Sequence, residues 1–169
     1  PPRSTLFPYT TLFRSGYARL KSTREIELMM VQNGIDLVHI DRIRKGIERL
    51  GRPFLDRIWT TDELTDCLPD DDVLTEGAVA SLAVRFAAKE ATAKALGTGI
   101  GPGGICWKDI SVKRIAGGRP QISLAGPAQH RYEALGGVSL SISLAHEGGI
   151  AVAQCVLLHQ VVEIGRAHV

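Results

Sequence analysis

Arg85-Phe-Ala-Ala-Lys-Glu-Ala-Thr-Ala-Lys-Ala-Leu-Gly-Thr-Gly-Ile100 is the stretch on which the reading of this chain turns. Its alanines (Ala87, Ala88, Ala91, Ala93, Ala95) favour helix strongly and let another backbone approach closely. Glu90 and Lys94 stand one turn apart on the same helical face. The glycines that follow cannot continue the helix and leave its end open, so the pattern predicts a helix from about Glu76 to Leu96 running into a sterically open loop. A charged pair beside such a loop is suited to handling phosphate. Taken alone, the same two residues also read as an exposed i,i+4 ion pair, worth ~0.3–0.5 kcal/mol to the helix and no more.

Upstream of this helix, Val31 to Ile40 reads as a first strand in which Asp36 shares a face with Val38 and Ile40. A carboxylate there is costly unless it is paired or bound to a metal. A helix from Asp41 to about Gly51 follows, with Ile43, Ile47 and Leu50 on its apolar side and a basic stripe of Arg42, Lys45 and Arg49 opposite. Asp62, Glu63, Asp66, Asp70, Asp71, Asp72 and Glu76 come next with no Lys or Arg among them. This stretch is expected to hold a short helix from Thr61 to Leu68 and an exposed loop, its acidity serving solvation. Downstream, Asp109 to Arg114 and Gln121 to Leu124 read as a hairpin around Ala116-Gly-Gly-Arg-Pro120, and Gly126 to Leu135 as a short helix. Val138 to Ala145 and Gly149 to Leu158 read as apolar strands joined by His146-Glu147-Gly148. The class is α+β, a mainly antiparallel sheet packed against a long helix.

Gly99-Ile-Gly101-Pro-Gly103-Gly104 satisfies the dinucleotide fingerprint G-x-G-x-x-G only formally. That fingerprint needs a strand before the glycines and a helix after them, and these follow a helix and precede a strand-like segment. The loop also lacks the Gly-Lys-Ser/Thr ending of a P-loop.

With 169 residues, 44% of them hydrophobic, and a formal net charge of +2, the chain reads as one soluble globular domain without an apolar run of membrane-spanning length. Cys67, Cys106 and Cys155 are widely spaced and contain no Cys-x-x-Cys pair, which indicates neither a zinc site nor a disulfide framework and suits a reducing cytoplasm. Both ends are set aside. Thr5 to Ser15 is what a common short-read sequencing adapter gives on translation, and Glu163 to Val169 matches the opposite adapter. Residues 1–29 are therefore expected to be adapter-derived and upstream sequence without fixed structure, residues 30–162 to form the domain, and residues 163–169 to be a tail. The native start is expected at Met29 or Met30, although residues 16–28 are also compatible with a genuine N-terminal extension.

Phe86-Ala-Ala-Lys-Glu-Ala-x-x-Lys-Ala-x-Gly-Thr-Gly99 resembles the signature of the 4′-phosphopantetheinyl transferases, most closely the small bacterial type, the holo-[acyl carrier protein] synthase family. Gly34-Ile-Asp36, with Arg42 six residues beyond the Asp, is similar to that family's first motif. Ser143-Leu-Ala-His146 is similar to its last. The resemblance implies transfer of the 4′-phosphopantetheine arm from coenzyme A to a serine of an apo acyl carrier protein, releasing adenosine 3′,5′-bisphosphate.

On this resemblance, Asp36 and Glu90 match the family's metal-binding carboxylates, which implies Mg²⁺, and Lys94 matches the lysine expected on the phosphates, so Asp36, Glu90 and Lys94 are the candidate catalytic residues. The general base stays open between Glu90 itself and a metal-bound water held by Asp36. His146, Arg85 and Gly99 are implied as coenzyme A contacts alongside Lys94; a turn histidine or a helix arginine read alone would be structural or solvated. Ser143 has no activating base or nucleophile elbow around it. Arg42, Lys45 and Arg49 are candidates for docking the acidic carrier protein, against the plain alternative of a solvated helix face. The resemblance also implies a homotrimer with shared active sites, a place in fatty acid biosynthesis and lipid metabolism, and a cytoplasmic location. Two other classes compete with the enzyme. A non-catalytic module binding coenzyme A or carrier protein would have no need of both Glu90 and Lys94. A nucleic-acid-binding domain is disfavoured by the near-neutral charge and the 5% aromatic content, and no membrane partner is expected.

Overall fold

The computed structural model of the protein describes residues 18–20, 25–68, 74–101, 104–115 and 118–164. In chain order these form β1 (Ala18–Leu20), β2 (Glu25–His39), α1 (Ile40–Leu50), α2 (Arg52–Ile58), α3 (Thr61–Cys67) and α4 (Glu76–Ala95). A 3₁₀ turn at Trp107–Asp109 leads into β3 (Ile110–Arg114), β4 (Pro120–Leu124), α5 (Gly126–Ala134), β5 (Gly137–Glu147) and β6 (Ile150–Ile164). One sheet runs in the order β1-β2-β6-β5 and β3 and β4 form a separate hairpin; all the pairings within these sheets are antiparallel. Helix α4 lies across the face of the larger sheet, so the expected α+β layering is the observed one.

Elements expected from the sequence are present and differ at their ends. β2 starts at Glu25, ahead of Met29, and its ladder with β6 runs from His39↔Ile150 to Glu25↔Ile164. Residues 1–17, 21–24 and 165–169 of the segments expected to lack fixed structure lie outside the described residues. Helix α2 was not expected; the sequence pattern marked no element between Gly51 and Thr61. Pro53 in fact occupies the first turn of α2, where a missing N–H costs nothing. His146 and Glu147 were expected in a turn and instead prolong β5. The turn is made by Gly148 and Gly149, with φ of 57° and 78°, the left-handed pair that a tight hairpin requires.

The acidic stretch also needs correcting. Glu63 is wholly buried, and Asp62, Asp66 and Glu76 pair with Lys113, Arg85 and Arg44 from other elements. Their charge ties elements together; it is not spent on solvation alone. Asp70, Asp71 and Asp72 lie outside the described residues.

Small residues set the distance between helix and sheet. Helix α4 packs on β6, and Ala87, Ala88, Ala91 and Ala95 of the helix and Ala151, Ala153 and Cys155 of the strand are all buried with little or no exposure. Closest of all is Gly34 on β2, where an added Cβ would stand 2.0 Å from the Ala91 carbonyl oxygen and 2.8 Å from the Lys94 Cβ. No side chain fits there without moving α4, so the glycine of Gly34-Ile-Asp36 fixes the contact that brings the helix down onto the strand. On the other face of the sheet, the alternation of β2 turns Ile35 and Leu37 outward at 58% and 57% exposure. The ladder sets Leu37 beside Val152, Ile35 beside Gln154 and Val31 beside Leu158.

Candidate active site

Helix α4 is buried along nearly its whole length, and Phe86, Glu90 and Lys94 form the one partly open strip along its second half. Their i, i+4 spacing keeps them on one side, and the close approach at Gly34 sets that side against β2. Lys94 Nζ donates to an Asp36 oxygen at 2.8 Å and to the Ile35 carbonyl at 2.9 Å. Its ion-pair partner is thus Asp36 on the strand rather than Glu90 on its own helix, which corrects the plain reading of an intrahelical pair. Asp36 is mostly covered and Lys94 about half exposed.

Glu90 is partly buried. Desolvation raises its carboxyl above the ordinary carboxylate range; the Asp36 charge pushes the same way, while Lys94 and Arg42 pull against it. A partly buried carboxylate that is further destabilised by a neighbouring carboxylate's charge makes a site that a cation relieves. Among the described residues no cluster of three or more His, Cys, Asp or Glu is placed to hold a metal. A pair of carboxylates with room for water and phosphate oxygens is nevertheless the donor set that Mg²⁺ takes, so these residues fit that ion.

Just past this corner the chain enters the glycine loop. The helix end is not left open as expected. Gly97 N–H donates to the Lys94 carbonyl, Thr98 N–H to that of Ala93, and the Arg131 side chain to that of Leu96. Gly97, at φ 70°, supplies the left-handed residue of this cap. Gly99 is exposed, with open space around the position of a Cβ.

Two concavities flank α4. The first, about 230 Å³, lies between α4, the β3–β4 hairpin and β5, and its lining includes Arg85, Arg114 and His146. Arg85 and His146, singled out separately in the sequence, are thus brought together. Arg85 is 3% exposed and its guanidinium reaches Asp66 and the Ser81 carbonyl, yet its Nε has no partner. A buried cationic group with an unsatisfied donor beside a cavity is poised for an anion. Arg114, from a different strand, carried no signal that sequence reasoning used.

The second concavity, about 660 Å³, lies along α1 with Ile43, Leu50, Phe54 and Phe86 as apolar walls and Arg42, Lys45 and Arg49 at its rim. The basic stripe therefore lines a groove that reaches α4 at Phe86, one turn before Glu90. Lys45 is tied to Asp41 at 2.7 Å, whereas Arg42 and Arg49 form no ion pair among the described residues. The apolar floor from Phe54 and Phe86 was missed, because aromatic residues on different helices give no joint periodicity.

Residues 32–155 match the family model of the 4′-phosphopantetheinyl transferase superfamily. A holo-[acyl-carrier-protein] synthase of Koribacter versatilis is 41% identical over 129 residues, covering 76% of this chain and 98% of that protein. Among solved structures, the holo-[acyl-carrier-protein] synthase of Neisseria meningitidis superposes with a TM-score of 0.64 at 35% identity, covering 75% of this chain and 96% of that one. The Helicobacter pylori synthase in complex with coenzyme A gives 0.62 at 34% identity, covering 74% and 98%. With a family model matched across residues 32–155 and a relative 41% identical over 98% of its own length, the chain belongs to the 4′-phosphopantetheinyl transferase superfamily and, within it, to the holo-[acyl-carrier-protein] synthases.

Proposed function

We propose that the corner formed by Asp36, Glu90 and Lys94 carries out this family's reaction, moving the 4′-phosphopantetheine arm of coenzyme A onto a serine of apo acyl carrier protein. The observation that carries the reading is the Lys94 ammonium held on Asp36 beside a half-buried, destabilised Glu90 carboxylate. The serine oxygen forms a bond to the phosphorus that bears the arm. The bond from that phosphorus to the bridging oxygen breaks, and adenosine 3′,5′-bisphosphate leaves. Such a transfer asks the protein for alignment, charge neutralisation and removal of one proton. Glu90, more basic than an ordinary carboxylate, takes the serine proton. Lys94 sets positive charge against the leaving phosphate. Asp36 and Glu90 would hold Mg²⁺, which supplies further positive charge to the diphosphate when bound.

Arg85 and His146 then take the nucleotide end of coenzyme A, and Gly99 leaves room for its phosphates. The groove rimmed by Arg42, Lys45 and Arg49 takes the acidic carrier protein, steering it by charge and seating it on Phe54 and Phe86.

The two corners lie on opposite flanks of α4. Arg85 and Lys94 are about 180° apart around the helix at roughly 100° per residue, and β2 and β5 are separated by β6, about 10 Å in all. This division supports a homotrimer in which one copy's Arg85–His146 pocket completes a neighbour's Asp36–Glu90–Lys94 corner, with the outward apolar face of Val31, Ile35 and Leu37 as the contact. Sedimentation should read three chains for the protein and fewer for Leu37→Lys; a monomer at micromolar concentration would overturn the assembly.

Apo carrier protein incubated with the enzyme, coenzyme A and Mg²⁺ should gain the mass of the arm, and an unchanged mass would reject the activity. Reversing Lys45 and Arg49 to Glu, both farther along α1 from Glu90 than Arg42, should raise the KM for carrier protein about tenfold or more and leave that for coenzyme A nearly unchanged. Equal effects on both substrates would remove the docking role.

A further inference from the structure

The glycine loop is tethered at its root by a residue that no motif includes. Arg131 on α5 donates from Nε to the Leu96 carbonyl at 3.0 Å, across 35 residues of sequence. One of its terminal nitrogens stands 3.5 Å from the point where a Cβ on Gly97 would be. The guanidinium therefore lies against the left-handed turn that starts the loop. Its surroundings explain why a cation is useful there. The last carbonyls of a 20-residue helix carry about half a negative charge, concentrated in the final turn. Lys94 stands in that turn, so a diphosphate bound at Lys94 meets the unfavourable end of the helix dipole. Within the helix only Lys94 offsets it, and Lys94 is already shared with Asp36.

We infer that Arg131 is a positioning residue for coenzyme A: it holds the Gly97–Gly99 turn in its phosphate-accepting shape and cancels the negative end of α4 where the diphosphate binds. The inference rests on the proposed role of Lys94. It assigns Arg131 to coenzyme A and not to the carrier protein, whose groove lies along α1.

Arg131→Ala, Arg131→Lys and, as reference, Lys94→Ala are to be compared in the full chain by calorimetric titration with coenzyme A in the absence of carrier protein, by steady-state kinetics and by thermal melting. For Arg131→Ala, coenzyme A affinity and kcat/KM for coenzyme A should fall about tenfold, with the KM for carrier protein within twofold of wild type and the melting temperature nearly unchanged, since an exposed side chain bonded to one carbonyl adds little to stability. Arg131→Lys, which keeps the charge and one donor, should recover part of the loss. Unchanged coenzyme A binding in Arg131→Ala, or a loss that falls equally on both substrates and follows the melting temperature, overturns the inference. If Lys94→Ala loses coenzyme A and Arg131→Ala does not, only the role of Arg131 fails. If neither loses it, the phosphate role of Lys94 fails as well.

Discussion

Asp36→Asn and Glu90→Gln are each expected to slow transfer of the arm by ~10²–10³-fold while leaving the fold intact. An amide keeps the shape of a carboxylate but loses the charged oxygens that a hard cation needs and, at position 90, the group proposed to take the serine proton. The two variants differ in stability in a way that separates function from folding. The Glu90 carboxyl is raised by desolvation first and by Asp36 second. A carboxyl whose pKa rises on folding destabilises the fold once the pH passes the unfolded value, and the cost is complete above the folded one. Gln carries no such cost, so Glu90→Gln should melt at or above the wild-type temperature at pH 7, with the gap closing as the pH falls below the ordinary carboxylate range. Asp36→Asn removes the partner of a half-exposed Lys94 and should lower the melting temperature only slightly. Near-wild-type turnover at low Mg²⁺ in either variant, or a loss of activity that follows a loss of structure, would reject the assignment.

What the sequence made legible is the part of the site carried by local pattern. An Ala-rich run ending in glycines reads as a buried helix with a stop, and i, i+4 spacing put Glu90 and Lys94 on one side of it. The strand alternation likewise showed that Asp36 turns inward. The unread part depends on long-range contact. The Thr60-x-x-Glu63 spacing marks Glu63 as a capping-box residue, but nothing local says that it is fully buried while Asp62 is exposed, because the packing of α3 against the core decides it. The cavity beside Arg85 is assembled from α4, a hairpin and β5, segments up to about 60 residues apart, and Arg131 acts on a carbonyl 35 residues upstream. The importance of Gly34 was legible only as a motif letter. Its reason, a helix backbone within van der Waals contact, is a property of the packed pair.

Breaking the Lys89–Glu63 pair should destabilise the protein more than any surface change. Lys89, one residue before the site glutamate, is 0% exposed; its ammonium donates to Glu63 at 2.8 Å and to the carbonyls of Trp107 and Ile110 at 3.0 and 2.7 Å. Glu63 also accepts from the backbone N–H groups of Val112 and Thr60, both at 2.9 Å. Burial pulls the Lys89 pKa below its ordinary value against the opposing pull of Glu63, and the ammonium makes three hydrogen bonds that offset the cost of its burial. Lys89→Met should therefore cost ~3–5 kcal/mol, the usual penalty for stranding one member of a buried pair, and lower the melting temperature by roughly 10 °C. Adding Glu63→Met should cost less than the sum of the two single changes by ~1–3 kcal/mol, since the second substitution removes the stranded charge. Urea denaturation of the four proteins gives the cycle. A loss below about 1 kcal/mol for Lys89→Met, or strict additivity, would show that the pair holds little. The double variant should not return to wild-type stability, because the N–H groups of Val112 and Thr60 and the carbonyls of Trp107 and Ile110 would still lack their side-chain partners. Those carbonyls flank the start of β3, just after the glycine loop, and the Trp107 ring packs on Phe86 with centroids 4.5 Å apart. Lys89 thus fastens the far end of that loop and a wall of the α1 groove to the helix that carries Glu90, so the double variant should regain stability without regaining full affinity for carrier protein.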